Sequence, residues 1–137
     1  MTNLSSLEIK EPLIKLISDK ERELRELSKK ILDNCVMLAE HDTKQEAIET
    51  QIDLIKFGLQ KEITEARCPE SGKQLFTNDT ARKSELIIRE QQNDLLRGYK
   101  ADRLSHIETA KHLQSLIEFQ KRQFWISEKV LLFLVNA

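Results

Sequence analysis

The sequence contains few of the residues that make turns. Only three glycines and two prolines occur among 137 residues, and aromatic residues make up 5% of the chain. β-Sandwiches, barrels and doubly wound sheets need many turns, and a phosphate-binding loop needs clustered glycines. A chain that is 33% charged and rich in Leu, Ile, Glu, Lys, Arg and Gln favours long helices instead. We therefore expect an all-α protein that forms a single domain over residues 1–137.

Motifs that carry chemistry are also scarce. The two cysteines, Cys35 and Cys68, have no other Cys or His at a metal-binding spacing, and they would lie many turns apart along one helix. We expect free thiols in a reducing, cytoplasmic compartment. The sequence shows no nucleophile–base spacing, paired-carboxylate motif, metal triad or cofactor loop. It therefore predicts a protein without catalytic activity, metal or cofactor.

Long hydrophobic runs are missing as well. The longest one, Val130–Val135, has six residues, whereas a bilayer-spanning helix needs about 20. Glu128 and Lys129 precede it and disfavour insertion into a membrane. The first ten residues lack a basic segment followed by an apolar one, so we expect no signal peptide and no membrane insertion.

An alternating spacing of three and four residues runs without a skip from Leu24 to Ala66. Nine of its 13 positions are apolar, which is typical of an amphipathic helix with a coiled-coil-like seam. We predict a long helix over residues 19–67. Ser18 and Glu21 form a capping-box pattern ahead of it, so residues 1–17 are predicted as a separate short helix.

Residues 68–78 interrupt the pattern with a proline and a Ser-Gly turn and predict a loop. A second long helix is predicted over residues 79–135, and its best 3–4 spacing runs from Gln92 to Leu134. Two long helices joined by a short loop pack as an antiparallel hairpin. If residues whose numbers sum to about 148 lie opposite each other, apolar positions of one helix meet apolar positions of the other. The short N-terminal helix would pack on the apolar C-terminal end of this hairpin.

The same alignment brings four polar side chains of the two long helices into one layer. Two histidines beside an arginine make a poor cation site, because the guanidinium repels a metal ion. The layer is interpreted as polar packing that fixes the helix register. Its members are His41, Gln45, Arg103 and His106.

The loop carries the candidate tip residues Gly72, Lys73 and Asn78. Gly72 can supply a positive φ, and Asn78 is suited to cap the second helix. Lys73 and Arg82 are predicted to bond the last carbonyls of the first helix. Together with Thr77 and Glu85, these residues form a pattern that resembles the tip of small helical-hairpin proteins from bacteria and phages.

Charge is distributed unevenly along the chain. Residues 1–66 hold 10 basic and 14 acidic side chains, and residues 67–137 hold 12 basic and 9 acidic ones. Two interpretations of the basic second half stay open, namely a mixed solvated face and a surface that meets a nucleic acid or a protein partner. The residues of this candidate face are Arg82, Lys83, Arg89, Arg97 and Lys100.

The last predicted turns are apolar on every face, which one short helix cannot cover. We interpret this end as an oligomer interface, with a binding patch for another protein as the alternative. The interface residues are Phe124, Trp125, Val130, Leu131, Phe133 and Leu134.

Two functional hypotheses follow. The first is a non-catalytic, oligomeric scaffold for assembly or interaction with an unknown protein partner. The second comes from an outline resemblance to phage recombination mediators of the UvsY type, carried by two long helices, a Gly-containing connection and an apolar C-terminal helix. That resemblance implies a homo-oligomer that binds single-stranded DNA through basic residues and helps to load a recombinase.

Overall fold

The computed structural model describes the backbone of residues 2–137 and the side chains from Lys10 onwards. Over residues 2–137 the chain forms three helices and no strand: α1 is Thr2–Glu65, α2 is Asp79–Gln92 and α3 is Asp94–Asn136. The helices hold 88% of the chain. The predicted all-α class is therefore confirmed.

Helix α1 differs from the prediction at its N-terminal part, because it has no boundary after residue 17. The helix continues through Pro12 and through the predicted capping box. A capping box acts only where the backbone leaves helical geometry, and here ion pairs three residues apart, such as Lys20 with Glu23 at 2.9 Å, favour continuation of the helix. The prediction that residues 4–17 cover the C-terminal end lies outside the described side chains for residues 4–9, and in the rest of that segment Leu16 lines a groove together with Val130 and Leu134.

The second predicted helix is divided at Asn93. This residue has extended backbone angles (φ −85°, ψ 104°), and its side-chain oxygen accepts a hydrogen bond of 2.9 Å from the N–H of Leu96. Asp94 follows in the first turn of α3, where a carboxylate favours the helix dipole. Asn93 thus ends α2 and caps α3, and the sequence prediction missed this Asn-Asp signal.

The chain separates into two compact units. Unit 1 comprises the residues up to Glu40 and Ala110–Ala137. Its pairs of α1 and α3 residues, Asn34 with Gln120 at 2.9 Å and Glu23 with Ser127 at 3.1 Å, run in opposite directions along the chain. The two helical segments of unit 1 are therefore antiparallel. Its buried residues are Leu27, Ala110, Leu113, Ile117, Gln120 and Ser127.

Unit 2 comprises His41–Thr109. Its core is small and consists of the buried side chains of Ile52, Ile63 and Leu96. Contacts from α1 reach both other helices of the unit, and they too run antiparallel. They join His41 to His106, Glu49 to Arg103, and Glu62 to Arg89.

The predicted 3–4 positions match the observed burial closely. Every one of them is buried or half-buried except Glu62 and Gln92, which are exposed. Gln92 is the last residue of α2 and so precedes the helix that carries the rest of its pattern. The sequence spacing therefore identifies the packed face of both long helices, since only a face with this period stays in contact with a helical neighbour.

Candidate interaction surfaces

The predicted oligomer interface divides into two groups in unit 1. Phe124, Leu131 and Leu134 are half-buried, because they continue the 3–4 spacing that packs toward α1. Their place in an oligomer interface stays a prediction. Trp125, Val130 and Phe133 lie on the exposed surface, with 60%, 37% and 74% of their area accessible.

Further large apolar side chains of α3 share this exposure. Phe119 and Ile126 are 56% and 55% accessible, and Leu132 is 49% accessible. Sequence reasoning missed Phe119 and Ile126, although their spacing of seven residues repeats between Ile126 and Phe133. That period was the available signal. No helix in the described part of the chain is long and apolar enough to cross a membrane.

A groove of about 390 Å³ opens beside this surface in unit 1. Apolar side chains from both helical segments line it, and charged side chains of α1 form its rim. Lys20 bonds Glu23 there, and Ser127 donates a second hydrogen bond to the same carboxylate. These two hydrogen bonds hold the pKa of Glu23 below its ordinary value. The lining residues are Leu16, Asp19, Lys20, Glu23, Val130 and Leu134.

Trp125 is contacted by a cation of its own helix. The Lys129 ammonium lies 5.6 Å from the centre of the indole ring, within the range of a cation–π interaction. Lys129 follows Trp125 by four residues, so one turn of α3 places them together. The Lys129 ammonium is therefore a charged neighbour of Trp125, and no such neighbour is shown for Phe119 or Phe133.

The candidate basic face lies in unit 2, and three of its five members form ion pairs. Arg82 pairs with Asp79 at 3.5 Å, and Arg97 pairs with Asp94. Arg89 bonds Glu85 at 2.9 Å, lies 3.7 Å from Glu62 and lies over the Phe76 ring. Most of the predicted cations therefore already face carboxylates of the same unit. Lys83 and Lys100 are exposed.

The tip loop is a tight turn closed by backbone hydrogen bonds. The N–H of Cys68 bonds the carbonyl of Lys73 at 2.8 Å, and the N–H of Gly72 bonds the carbonyl of Cys68 at 2.8 Å. Gly72 has φ +69°, as its predicted role requires. Asn78 accepts a hydrogen bond of 2.8 Å from the N–H of Ala81, so its predicted cap is confirmed.

Arg82 has a different role from the predicted one. Its Nε donates to the carbonyl of Phe76 in the loop at 3.2 Å, rather than to the last carbonyls of α1. Lys73 enters the loop through its backbone, because its carbonyl accepts from Cys68 and its N–H lies 3.4 Å from the Ser71 hydroxyl. Residues close in sequence satisfy these groups because the loop reverses direction within a few residues.

Cys68 occupies an unusual electrostatic position in this turn. Hydrogen bonds from the backbone N–H groups of Ser71 and Glu70, and from the Ser71 hydroxyl, lower the pKa of its thiol. From the sequence, Cys68 was expected to be a free thiol with no further role. In the structure it is a free, half-buried cysteine. The turn that follows Pro69 places these donors close to the sulfur.

Two members of the predicted polar layer, His41 and His106, meet in unit 2. The Nδ1 atoms of His41 and His106 lie 2.8 Å apart, so one ring donates and the other accepts. Arg103 bonds Glu49 at 2.9 Å, while its Nε is buried without a partner among the described residues. The described residues hold no group of three His, Cys, Asp or Glu side chains arranged to bind a metal ion.

Comparison with known proteins gives no identification. The chain matches no protein-family model, no curated protein and no solved structure. Its function is therefore argued from the geometry above. The most prominent feature of that geometry is the row of large apolar side chains exposed on α3 of unit 1.

Proposed function

We propose that this protein is a non-catalytic, oligomeric scaffold that assembles through unit 1. The supporting observation is the exposure of large apolar side chains on the C-terminal half of α3. Phe119 and Phe133 have 56% and 74% of their area accessible. Contiguous apolar surface of this kind marks sites of protein association in soluble proteins. In an assembly, each copy would cover the surface of another.

The antiparallel contact between α1 and α3 supports the same proposal. Within unit 1 one side of α3 already packs on α1, and this contact includes the hydrogen bonds made by Gln120 and Ser127. Those polar pairs fix the position of α3, because a shift along α1 would break them. The outward side chains are therefore presented from a defined helix face, as a specific interface requires.

Binding of single-stranded DNA is the alternative that the sequence raised. A binding groove needs cations that are free to follow phosphates, together with aromatic side chains that stack on bases. Arg82, Arg89 and Arg97 are paired with acids of unit 2, so phosphate would have to displace carboxylates. This arrangement favours the scaffold over the DNA-binding protein.

Sedimentation velocity over a range of protein concentrations tests the proposal. The scaffold hypothesis predicts an oligomer whose mass is insensitive to moderate salt, because apolar contacts hold it together. A monomer at every concentration would contradict it. The same run includes a labelled single-stranded oligonucleotide at low and moderate salt. Salt-dependent co-sedimentation that Arg82→Glu with Lys83→Glu abolishes would instead establish the DNA-binding alternative.

A further inference from the structure

Helix α3 carries a second 3–4 spaced row in unit 1, which we name the outer stripe. Its apolar members Phe119, Ile126 and Phe133 recur every seven residues, and Val130 lies between the last two. All four are exposed, unlike the first row, which packs toward α1. The remaining members are Leu116, which is half-buried, and Gln123 and Ala137, which are exposed. Side chains with this period stay on one face of their helix and can contact a neighbouring helix along its whole length. The stripe therefore indicates that a helix binds there.

We propose that the occupant of the outer stripe is the same stripe of a second copy of this chain, with the two α3 helices parallel and in register around a two-fold axis. This inference rests on the proposed oligomeric function and names its interface. Each of Phe119, Ile126 and Phe133 then meets its own counterpart. Gln123 meets Gln123, a single polar layer of the kind that fixes register in parallel pairs.

The exposed area is sufficient for such a dimer. The accessible fractions of Phe119, Ile126, Val130 and Phe133 leave roughly 400 Å² of apolar surface on each copy. An ordinary interface buries about 800 Å² on each partner, of which somewhat more than half is apolar. The outer stripe therefore supplies most of the apolar area that a stable pair requires.

Charge disfavours the antiparallel arrangement. Arg122 and Lys129 flank the stripe on one side, since Arg122 lies between Phe119 and Ile126 and Lys129 lies between Ile126 and Phe133 at the same spacing. The opposite side leads to the groove, where Asp19 pairs with Arg22 and Glu23 pairs with Lys20. The carboxylates of Asp19 and Glu23 are about half exposed.

A parallel two-fold pair places the basic flank of each copy near the groove of the other and keeps the two basic flanks apart. Ser127, which bonds Glu23, lies on the flank that Arg122 of the second copy would approach. An antiparallel pair centred on Ile126 would instead bring Arg122 of one copy beside Lys129 of the other, twice. Repulsion between these cations disfavours that arrangement.

The first experiment compares two double variants of equal apolar loss by sedimentation equilibrium of the full chain. Phe119→Ser with Phe133→Ser removes the ends of the stripe, and the expected result is a dimer dissociation constant raised more than about tenfold. Trp125→Ser with Leu132→Ser is the matched control, because both residues are exposed but lie off the stripe, and it keeps the wild-type mass. Circular dichroism checks that both variants retain the wild-type helix content.

The second experiment tests orientation by oxidative cross-linking in a chain whose native cysteines are replaced by serine. In the parallel pair Phe119→Cys, Ile126→Cys and Phe133→Cys each cross-link to their own counterpart. Cross-linking of Ile126→Cys alone would indicate an antiparallel pair and would overturn the proposed geometry. Glu23→Lys should weaken the wild-type dimer, and Arg122→Glu in the same chain should restore it by exchanging the charges.

The outcomes separate this inference from the proposed function. A wild-type oligomer that keeps its mass when the stripe is substituted would overturn the stripe as interface and leave the scaffold hypothesis standing. A wild-type monomer would overturn both. A monomer that sediments with anionic phospholipid vesicles, and loses them on Phe119→Ser with Phe133→Ser, would assign the stripe to a lipid surface instead of a second copy.

Discussion

Replacement of glycine by alanine should have opposite effects on stability at two positions of unit 2. Gly72 has φ +69°, a conformation that costs an L-residue about 1–2 kcal/mol, whereas Gly98 lies within helix α3. No described atom lies within 4 Å of the position that a Cβ would occupy at either site. Steric overlap therefore makes no contribution, and the backbone conformation alone decides whether the free energy of unfolding rises or falls.

The magnitudes follow from that conformation. Gly72→Ala should lower the free energy of unfolding by about 1 kcal/mol, after allowing for the smaller entropy of the unfolded alanine chain. Gly98→Ala should raise it by about 1 kcal/mol, because alanine is the better helix former. Gly58→Ala, which lies within α1 with the same free space, should also stabilise the protein.

Urea unfolding followed by far-UV circular dichroism measures these differences, at one fixed protein concentration so that any association contributes equally. The expected separation between Gly72→Ala and Gly98→Ala is about 2 kcal/mol at an unchanged slope. A Gly72→Ala variant as stable as the wild type would refute a left-handed Gly72 in a loop that folds together with α1 and α2. A destabilised Gly98→Ala variant would refute a continuous α3 at that position.

Three further predictions concern the core, the loop thiol and a carboxylate. Leu96→Ala should lower the free energy of unfolding by about 2–5 kcal/mol, because Leu96 is fully buried. Leu95→Ala, at a site that is 62% exposed, should change it by less than about 0.5 kcal/mol. Similar losses for the two variants in urea unfolding would contradict the assigned core. Ser71→Ala should shift the pH profile of Cys68 alkylation to higher pH, because it removes one hydrogen-bond donor that lowers the thiol pKa. The profile is measured in a chain whose Cys35 is replaced by serine. An unchanged profile would exclude that hydrogen bond. The lowered pKa of Glu23 contributes stability that is fully present above the ordinary Glu pKa of 4.5 and is lost as the pH falls through the lowered value. Glu23→Gln should therefore be less stable than the wild type at pH 7 in thermal unfolding, and this difference should shrink as the pH is lowered below 4.5.

Several local features could be predicted from the sequence because short-range physics controls them. The cap at Asn78 and the left-handed Gly72 follow from the chemistry of those residues within a few positions. The contact between His41 and His106 was anticipated, because polar interruptions of the two apolar patterns coincide in one alignment. Asn34 contacts Gln120, six residues from its predicted partner position, so the predicted alignment is not kept at this pair.

Helix boundaries were less predictable, since local signals compete there. Ser18 with Glu21 suggested a helix start, but α1 continues through them, and Asn93 divides the second helix where no boundary was predicted. A cap forms only where the chain gains more from leaving the helix than from continuing it. Packing of the neighbouring turns decides that balance, and sequence spacing does not report it.

The sequence by itself determined the all-α class and the faces of α1 and α3 that pack, because a period near 3.6 residues fixes which side chains share a helix face. Only the tertiary structure decided which apolar residues at the end of α3 stay exposed. Leu131 and Phe133 are equally apolar and two positions apart, yet the first is half-buried and the second is 74% accessible. The position of α1 makes that distinction, since it covers one side of α3 and leaves the outer stripe in contact with water.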